Sequence, residues 1–143
     1  MFETPSIAQL NQIIAQITAP SFLLGAVAGF VAVLISRLNR IIDRSQVLHD
    51  IGEDDDARTE LKVDIPRLIR RAELLNRAIL LCTISAIVTS LLVIMAFVAA
   101  MFNAKHEYGV AILFVVALGF FTASLIHLAL EVRIALNRYD HRK

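Results

Sequence analysis

The sequence predicts an all-α integral membrane protein with three transmembrane helices, on two observations. First, residues 20–36, 78–102 and 109–130 contain no Asp, Glu, Lys or Arg, and runs of roughly 17–25 residues are long enough to cross a hydrocarbon core of ~30 Å. Second, the chain is 57% hydrophobic and 19% charged, with a mean hydropathy of +0.68. A helix in a soluble core would keep a polar stripe, which these runs lack. We call them spans one, two and three, and expect a single domain over residues 1–143.

Residues 6–18, which precede span one, predict an amphipathic helix. Apolar residues recur there at helical spacing, while amide side chains occupy the other side without any cation. The apolar set is Ile7, Leu10, Ile13, Ile14 and Ile17. We expect this helix to lie at the outer membrane surface or to pack on a neighbour. Thr18, Ala19 and Pro20 predict a break, with Pro20 in the first turn of span one.

Residues 37–77, between spans one and two, predict a cytoplasmic helical hairpin. The helical pattern continues beyond span one in "RLNRIIDRSQVL" and returns before span two in "RLIRRAELLNRAILL". Gly52 is placed to end the first arm in a left-handed conformation, and Pro66 starts or kinks the second. We therefore expect spans one and two to extend beyond the bilayer and to pair through their Ile and Leu residues. The acidic residues 53–56 form the tip of the hairpin.

The distribution of basic residues predicts the orientation. Of the fourteen Lys and Arg residues, nine lie in residues 37–77, four follow residue 130, and none precedes span one. The remaining one, Lys105, lies in the short connection between spans two and three. Because cytoplasmic loops carry an excess of Lys and Arg, we expect the N-terminus outside and both the hairpin and the C-terminus in the cytoplasm.

Charged residues beside the membrane form a charge collar in the predicted hairpin. Its members are Arg37, Arg40, Asp43, Arg44, Arg70 and Arg77. We expect the collar to face anionic lipid of the inner leaflet, at ~1 kcal/mol for each basic residue near the surface. Asp43 and Glu73 are expected to form ion pairs worth only ~0–1 kcal/mol each. Their candidate partners are Arg40, Arg44, Arg70 and Arg71.

Small residues in the spans predict close helix packing. Gly25 and Gly29 form a G-x-x-x-G in span one, with Ala32 nearby, and Ser85 and Thr89 lie on a small face of span two. Residues of this kind let helix backbones approach closely in lipid. The contact is either among the three helices of one chain or between subunits, and the pattern leaves both open.

A pore is an alternative use of span two. If subunits surround an axis, its hydroxyl groups are the best candidates for a lining, with Thr83 and Ser90 as the lining residues. The sequence has neither a T-V-G-Y-G filter motif nor a carboxylate ring in mid-membrane.

His127 and Glu131 lie four residues apart near the inner end of span three, on one helix face. Ionisable residues at membrane depth are candidates for a proton or cation site. The other interpretation is that they reach the interface and pair with Arg77 or Arg133. We expect His127→Ala to leave assembly intact.

Other chemistry has no support in the sequence. The carboxylates of residues 53–56 are consecutive and follow Gly52, which does not fit a calcium loop. We expect no metal, no cofactor and no catalytic residue, with Cys82 a small buried side chain. Basic residues are interleaved with acids and lack neighbouring aromatics, which argues against nucleic acid. The protein is predicted not to be an enzyme.

Three stretches, "RLNRIIDRSQVL", "RLIRRAELLNRAILL" and "HLALEVRIALNRY", carry a resemblance to a bacterial membrane family known as domain of unknown function 2721. The chain resembles this family from about residue 18 to residue 136. The resemblance implies a small three-span protein of the bacterial inner (plasma) membrane, and it implies no activity.

Two functions remain after these exclusions. The first is a non-catalytic assembly protein, which forms a homo-oligomer or serves as an accessory subunit of a larger inner-membrane complex. The second is a homo-oligomeric ion channel lined by the Ser and Thr residues of span two.

Overall fold

The computed structural model describes residues 6–50, 63–102 and 107–140, and these ranges confirm the all-α fold with three long apolar helices. Helix α1 is Ile7–His49, α2 is Ile65–Met101 and α3 is Glu107–Asp140. Each is long and apolar enough to cross a membrane. At ~1.5 Å per residue, the 43 residues of α1 extend about 65 Å, roughly twice the hydrocarbon thickness. The predicted acidic tip of the hairpin, residues 53–56, lies outside the described residues.

The predicted break at residues 18–20 is wrong, because α1 continues through Pro20. Proline has no N–H, so the carbonyl of Gln16 loses its usual helical donor. The Ser21 hydroxyl donates to the carbonyl of Ile17 at 2.8 Å, which is not the carbonyl that Pro20 frees. Helices in lipid nevertheless tolerate proline, because neighbouring helices, hydroxyl side chains and small local adjustments can satisfy the freed backbone groups. Residues 7–18 are therefore the first part of α1 and not a separate helix.

Helix α1 begins with a capping box. The Ser6 N–H donates to Gln9 Oε1 at 2.9 Å, and the Gln9 N–H donates to Ser6 Oγ at 3.3 Å. These two hydrogen bonds satisfy two backbone N–H groups at the start of the helix, which have no acceptor within the helix. The S-x-x-Q spacing thus fixes where the helix starts.

Buried residues recur every seven positions in all three helices, which is the spacing of helices that pack in a left-handed supercoil. In α1 they are Val27, Leu34, Ile41 and Leu48. Helix α2 has two such series. The first is Leu68, Leu75, Cys82, Thr89 and Ala96, and the second is Ala78, Ser85 and Leu92. In α3 they are Ala117, Ser124 and Glu131. We refer to this pattern as the seven-residue repeat.

The chain divides into two compact units. Unit 1 is Met1–Phe30 with Cys82–Thr122, and unit 2 is Val31–Leu81 with Ala123–Lys143. Each unit contains part of every helix, so each has its own contacts between helices.

In unit 1, uncharged groups form contacts between the described parts of the helices. Ser85 Oγ of α2 donates to the carbonyl of Ala117 in α3 at 2.7 Å. The rings of Phe30 in α1 and Phe121 in α3 meet edge to face, with centroids 5.6 Å apart. Small side chains that hydrogen-bond across helices are typical of membrane bundles, since lipid provides no hydrophobic drive for packing.

Candidate functional site

The candidate site lies in unit 2 and centres on Glu131 of α3. Glu131 occupies the seven-residue repeat, and it is the only charged side chain among the described residues that is buried, with 0% of its surface exposed. Moving an ion out of water carries a penalty of several kcal/mol in proteins, which close partners have to offset. The surroundings of Glu131 therefore decide whether this end of the bundle is stable.

Two arginines from the other two helices face this carboxylate. Arg71 of α2 donates from Nε and Nη2 to Oε1 of Glu131, at 2.8 and 2.6 Å. Arg37 of α1 places Nη2 3.3 Å from Oε2, and Oε2 accepts no hydrogen bond from the described residues. Charge-assisted hydrogen bonds are the stronger kind, so Arg71 is the main partner and Arg37 contributes mostly through charge. We call these three residues the Glu131 cluster.

A further contact between α2 and α3 lies beside the cluster. Arg67, four residues before Arg71, donates from Nη2 to the backbone carbonyl of Ile134. A hydrogen bond from a charged guanidinium group is stronger than one between neutral groups. Two successive turns of α2 thus hold α3 through arginine side chains.

The partners predicted for Glu131 are wrong. The sequence interpretation paired it with Arg77 or Arg133, and both of these side chains are exposed in the structure. The physical reason is helical register. Arg71 falls between the buried residues Leu68 and Leu75 on the packed face of α2, whereas Arg77 does not.

The predicted ion pairs of Asp43 and Glu73 are also wrong. Both residues are exposed, and the ion pairs between described residues join Arg37 and Arg71 to Glu131 instead. An exposed pair gains little over separate solvated charges, whereas a buried carboxylate needs its partners.

His127 does not join the cluster. Its Nδ1 lies 2.9 Å from the carbonyl oxygen of Ala123, one turn earlier in the same helix. The ring makes no hydrogen bond with Glu131 in the structure, so the two residues do not form a shared site there. Within the described ranges, no group of three His, Cys, Asp or Glu residues is placed to hold a metal ion.

A cavity of about 730 Å³ lies in unit 2, and we call it the arginine groove. Four arginines line it: Arg37, Arg40, Arg44 and Arg71. Ser36 and several apolar side chains, including Ala32 and Val33, complete the wall. Three members of the predicted charge collar therefore share one cavity, while Arg70 and Arg77 are exposed on α2 away from it.

The small residues of span one face open space. A Cβ added at Gly25 or Gly29 would meet no atom of the described chain within 4 Å, and Ala32 is exposed. Gly119 in α3 has equally open surroundings. These glycines therefore do not serve close packing between the described helices.

The small residues of span two have two different environments. Ser85 and Thr89 are buried, and Thr89 Oγ1 donates to the carbonyl of Ser85 at 2.7 Å. Thr83 and Ser90 are exposed, and Ser90 Oγ donates to the carbonyl of Ala86 in its own helix. The pair named as a pore lining thus lies on the surface of the chain.

The sequence interpretation missed Arg71 as a site residue. A signal for it was present, since the seven-residue repeat continues beyond the apolar runs. Arg37 follows the buried Leu34 by three residues and precedes the buried Ile41 by four. Arg71 has the same spacing between Leu68 and Leu75, so both arginines occupy inward positions.

Three long apolar helices with uncharged contacts in unit 1 and a buried Glu–Arg cluster in unit 2 define a multi-pass α-helical membrane protein. The family described as Protein of unknown function (DUF2721) matches residues 17–141. The chain belongs to this family. No curated protein and no solved structure matches it.

Proposed function

We propose that this protein is a non-catalytic assembly protein of the bacterial inner membrane, which forms a homo-oligomer or serves as an accessory subunit of a larger membrane complex. The observation that carries the proposal is the open space at Gly25 and Gly29. Glycine within a helix is less stable than alanine by roughly 0.5–1 kcal/mol, and close packing against the described residues does not compensate for this at Gly25 or Gly29. A second helix that approaches closely at a G-x-x-x-G would do so.

The distribution of charge supports the proposed orientation. Thirteen of the fourteen Lys and Arg residues lie in residues 37–77 or after residue 130. Contacts within the Glu131 cluster bring the later part of α1, the early part of α2 and the later part of α3 together, as three antiparallel spans require. The positive-inside rule then favours a cytoplasmic location for this end and an external N-terminus.

A homo-oligomeric channel is the second candidate. Thr83 and Ser90 are exposed and lie seven residues apart, so their hydroxyl groups share one face of α2. The same face also holds Ile87, which lies between them, and Ile94, one turn beyond Ser90, and both are exposed. This favours contact with lipid or a subunit over a water-filled path. Ion flux from liposomes tests the channel: leakage equal to that of empty vesicles at every voltage and pH would remove it.

Native mass spectrometry of the protein, extracted gently from its own membrane, tests the assembly proposal. We expect either a closed homo-oligomer or single copies bound to a larger complex, whose other subunits would then name its role. Only free monomers, at every detergent concentration tried, would contradict the proposal.

Matched leucine substitutions sharpen the test. Gly25→Leu with Gly29→Leu should reduce the association constant by tenfold or more, on the order of 1.4 kcal/mol, because the added side chains keep the partner helix away. Gly119→Leu adds the same side chain into equally open space on α3 and should leave assembly unchanged. An equal loss in all of the variants would mean that the face of α1 is not the contact.

A further inference from the structure

We propose that the arginine groove binds the phosphate headgroup of an anionic phospholipid. This inference concerns a ligand of unit 2 and does not depend on the assembly proposed above, which concerns Gly25 and Gly29.

The first argument is the balance of charge in the groove. Four guanidinium groups line it, and Glu131 is the carboxylate that pairs with two of them, Arg37 and Arg71. Arg40 and Arg44 form no ion pair or hydrogen bond with the described residues and are exposed. Three positive charges are therefore uncompensated within one cavity. A guanidinium group matches the oxygens of a phosphate in geometry as well as in charge, so the groove is suited to a phosphate anion.

The second argument is the apolar part of the wall. Ala32 and Val33 line the groove and belong to the run of span one that contains no charged residue. A free phosphate ion gains nothing from such a wall. A phospholipid carries an anionic headgroup next to apolar chains, and this order matches the order of residues along α1.

The third argument is size. From Ala32 to Arg44 the groove follows α1 over a rise of twelve residue steps, about 18 Å at ~1.5 Å per step. Half of a bilayer, with ~15 Å of hydrocarbon and a further ~5–7 Å of headgroup, has a similar depth. The volume of about 730 Å³ is within the range of roughly 300–1,000 Å³ for ligand sites. Basic pockets between transmembrane helices on the cytoplasmic side are known to bind phospholipid headgroups.

The test is a titration of the purified full-length protein in neutral detergent, followed by native mass spectrometry. The probes are dioleoylphosphatidylglycerol, dioleoylphosphatidylcholine and inorganic phosphate. The variants are Arg40→Gln with Arg44→Gln, and the control Arg70→Gln with Arg77→Gln. Both double variants lose two positive charges, but Arg70 and Arg77 do not line the groove.

We expect the wild type to bind phosphatidylglycerol tightly and phosphatidylcholine weakly, and the control to lose far less affinity for phosphatidylglycerol than the Arg40→Gln with Arg44→Gln variant. The loss of Arg40 and Arg44 should weaken phosphatidylglycerol binding roughly 30-fold, from two arginine contacts with an anionic headgroup. Arg44→Gln alone should weaken it about fivefold, and this single variant keeps the test usable if the double variant is poorly folded. Inorganic phosphate at millimolar concentration should not displace the lipid.

Several results would overturn the proposal. Equal losses in the two double variants would mean a diffuse basic surface without a site, and equal affinity for the two lipids would exclude recognition of the anionic headgroup. Displacement by inorganic phosphate would assign the groove to a soluble anion. A fall in oligomer size with unchanged lipid binding in the Arg40→Gln and Arg44→Gln variant would make the groove a subunit contact. By contrast, loss of assembly in the Gly25 and Gly29 variants leaves this proposal intact.

Discussion

Both units contain a buried serine that bonds to a backbone carbonyl of another helix, but among the described residues only unit 2 adds a buried charge at the same kind of position. In unit 1 the seven-residue repeat carries small or uncharged side chains, such as Ser85, which bonds to a backbone carbonyl of the next helix. In unit 2 the repeat carries Ser124, which bonds to the carbonyl of Ala78, and also Glu131, which depends on Arg71 and Arg37. The seven-residue repeat determines which positions face the neighbouring helices in both units. The side chains at those positions determine how much of a unit's stability depends on a single contact.

The two units should therefore respond differently to the loss of one side chain. Removal of a hydroxyl group in unit 1 leaves a carbonyl that is still bonded within its own helix. Removal of an arginine in unit 2 leaves a buried charge, for which the penalty is much larger.

The largest effect is expected from Arg71→Leu. Glu131 would keep only the charge of Arg37, at 3.3 Å and without a hydrogen bond, so we expect the free energy of unfolding to fall by about 3–5 kcal/mol. Equilibrium unfolding in mixed micelles with increasing SDS measures it. Arg70→Leu, at the exposed neighbouring position, is the control and should change stability by less than ~0.5 kcal/mol. Equal effects of the two substitutions would mean that the contact between Arg71 and the buried Glu131 carboxylate does not contribute to the free energy of unfolding.

A smaller effect is expected from Glu131→Leu. The side chains of Arg37 and Arg71 are 36% and 23% exposed, so both can turn their guanidinium groups toward water. The double variant Arg71→Leu with Glu131→Leu should be more stable than Arg71→Leu alone by at least ~2 kcal/mol, since a buried pair can be replaced by apolar residues at little cost. A double-mutant cycle measures this coupling. Additive losses would contradict it.

In unit 1 a small effect is expected from Ser85→Ala. The variant loses the hydrogen bond to Ala117, and such bonds in membrane proteins average ~0.6 kcal/mol. Ser90→Ala is the matched control, because the Ser90 hydroxyl bonds only within its own helix. The same SDS unfolding assay compares them. A loss as large as that of Arg71→Leu would remove the contrast between the units.

The smallest effect is expected from His127→Ala. Nδ1 of the ring meets only a carbonyl of its own helix, so both stability and assembly should be unchanged, with native mass spectrometry as the measurement. A missing or dissociated protein would show that the imidazole has a role that the contacts of the described residues do not give it.

The three spans could be predicted from sequence because exclusion of charge over about 20 residues reflects the bilayer itself and not a particular neighbour. The break at residues 18–20 was predicted wrongly for a physical reason. Proline at the beginning of an apolar run predicts a helix start, but a helix in lipid can continue through proline, as α1 does. The S-x-x-Q spacing of Ser6 and Gln9 already marked the true start.

The partners of Glu131 were harder to predict. Sequence distance gives no guide to pairs that are 60 residues apart, such as Arg71 and Glu131, and the choice among arginines depends on which helix face is packed. Extending the seven-residue repeat beyond the apolar runs would have placed Arg37, Arg71 and Glu131 inward. It would not have given the arginine groove, because that cavity depends on the volumes of the neighbouring side chains.

The seven-residue repeat also limits how the gene can change in length. One codon inserted between Leu34 and Arg37 would rotate every later residue of α1 by about 100°, which moves Arg37 off the packed face and breaks the contact with Glu131. Seven inserted codons would change the angle by only about 20° and lengthen the helix by two turns. Natural insertions and deletions in this part of α1 should therefore be tolerated mainly in blocks of seven residues.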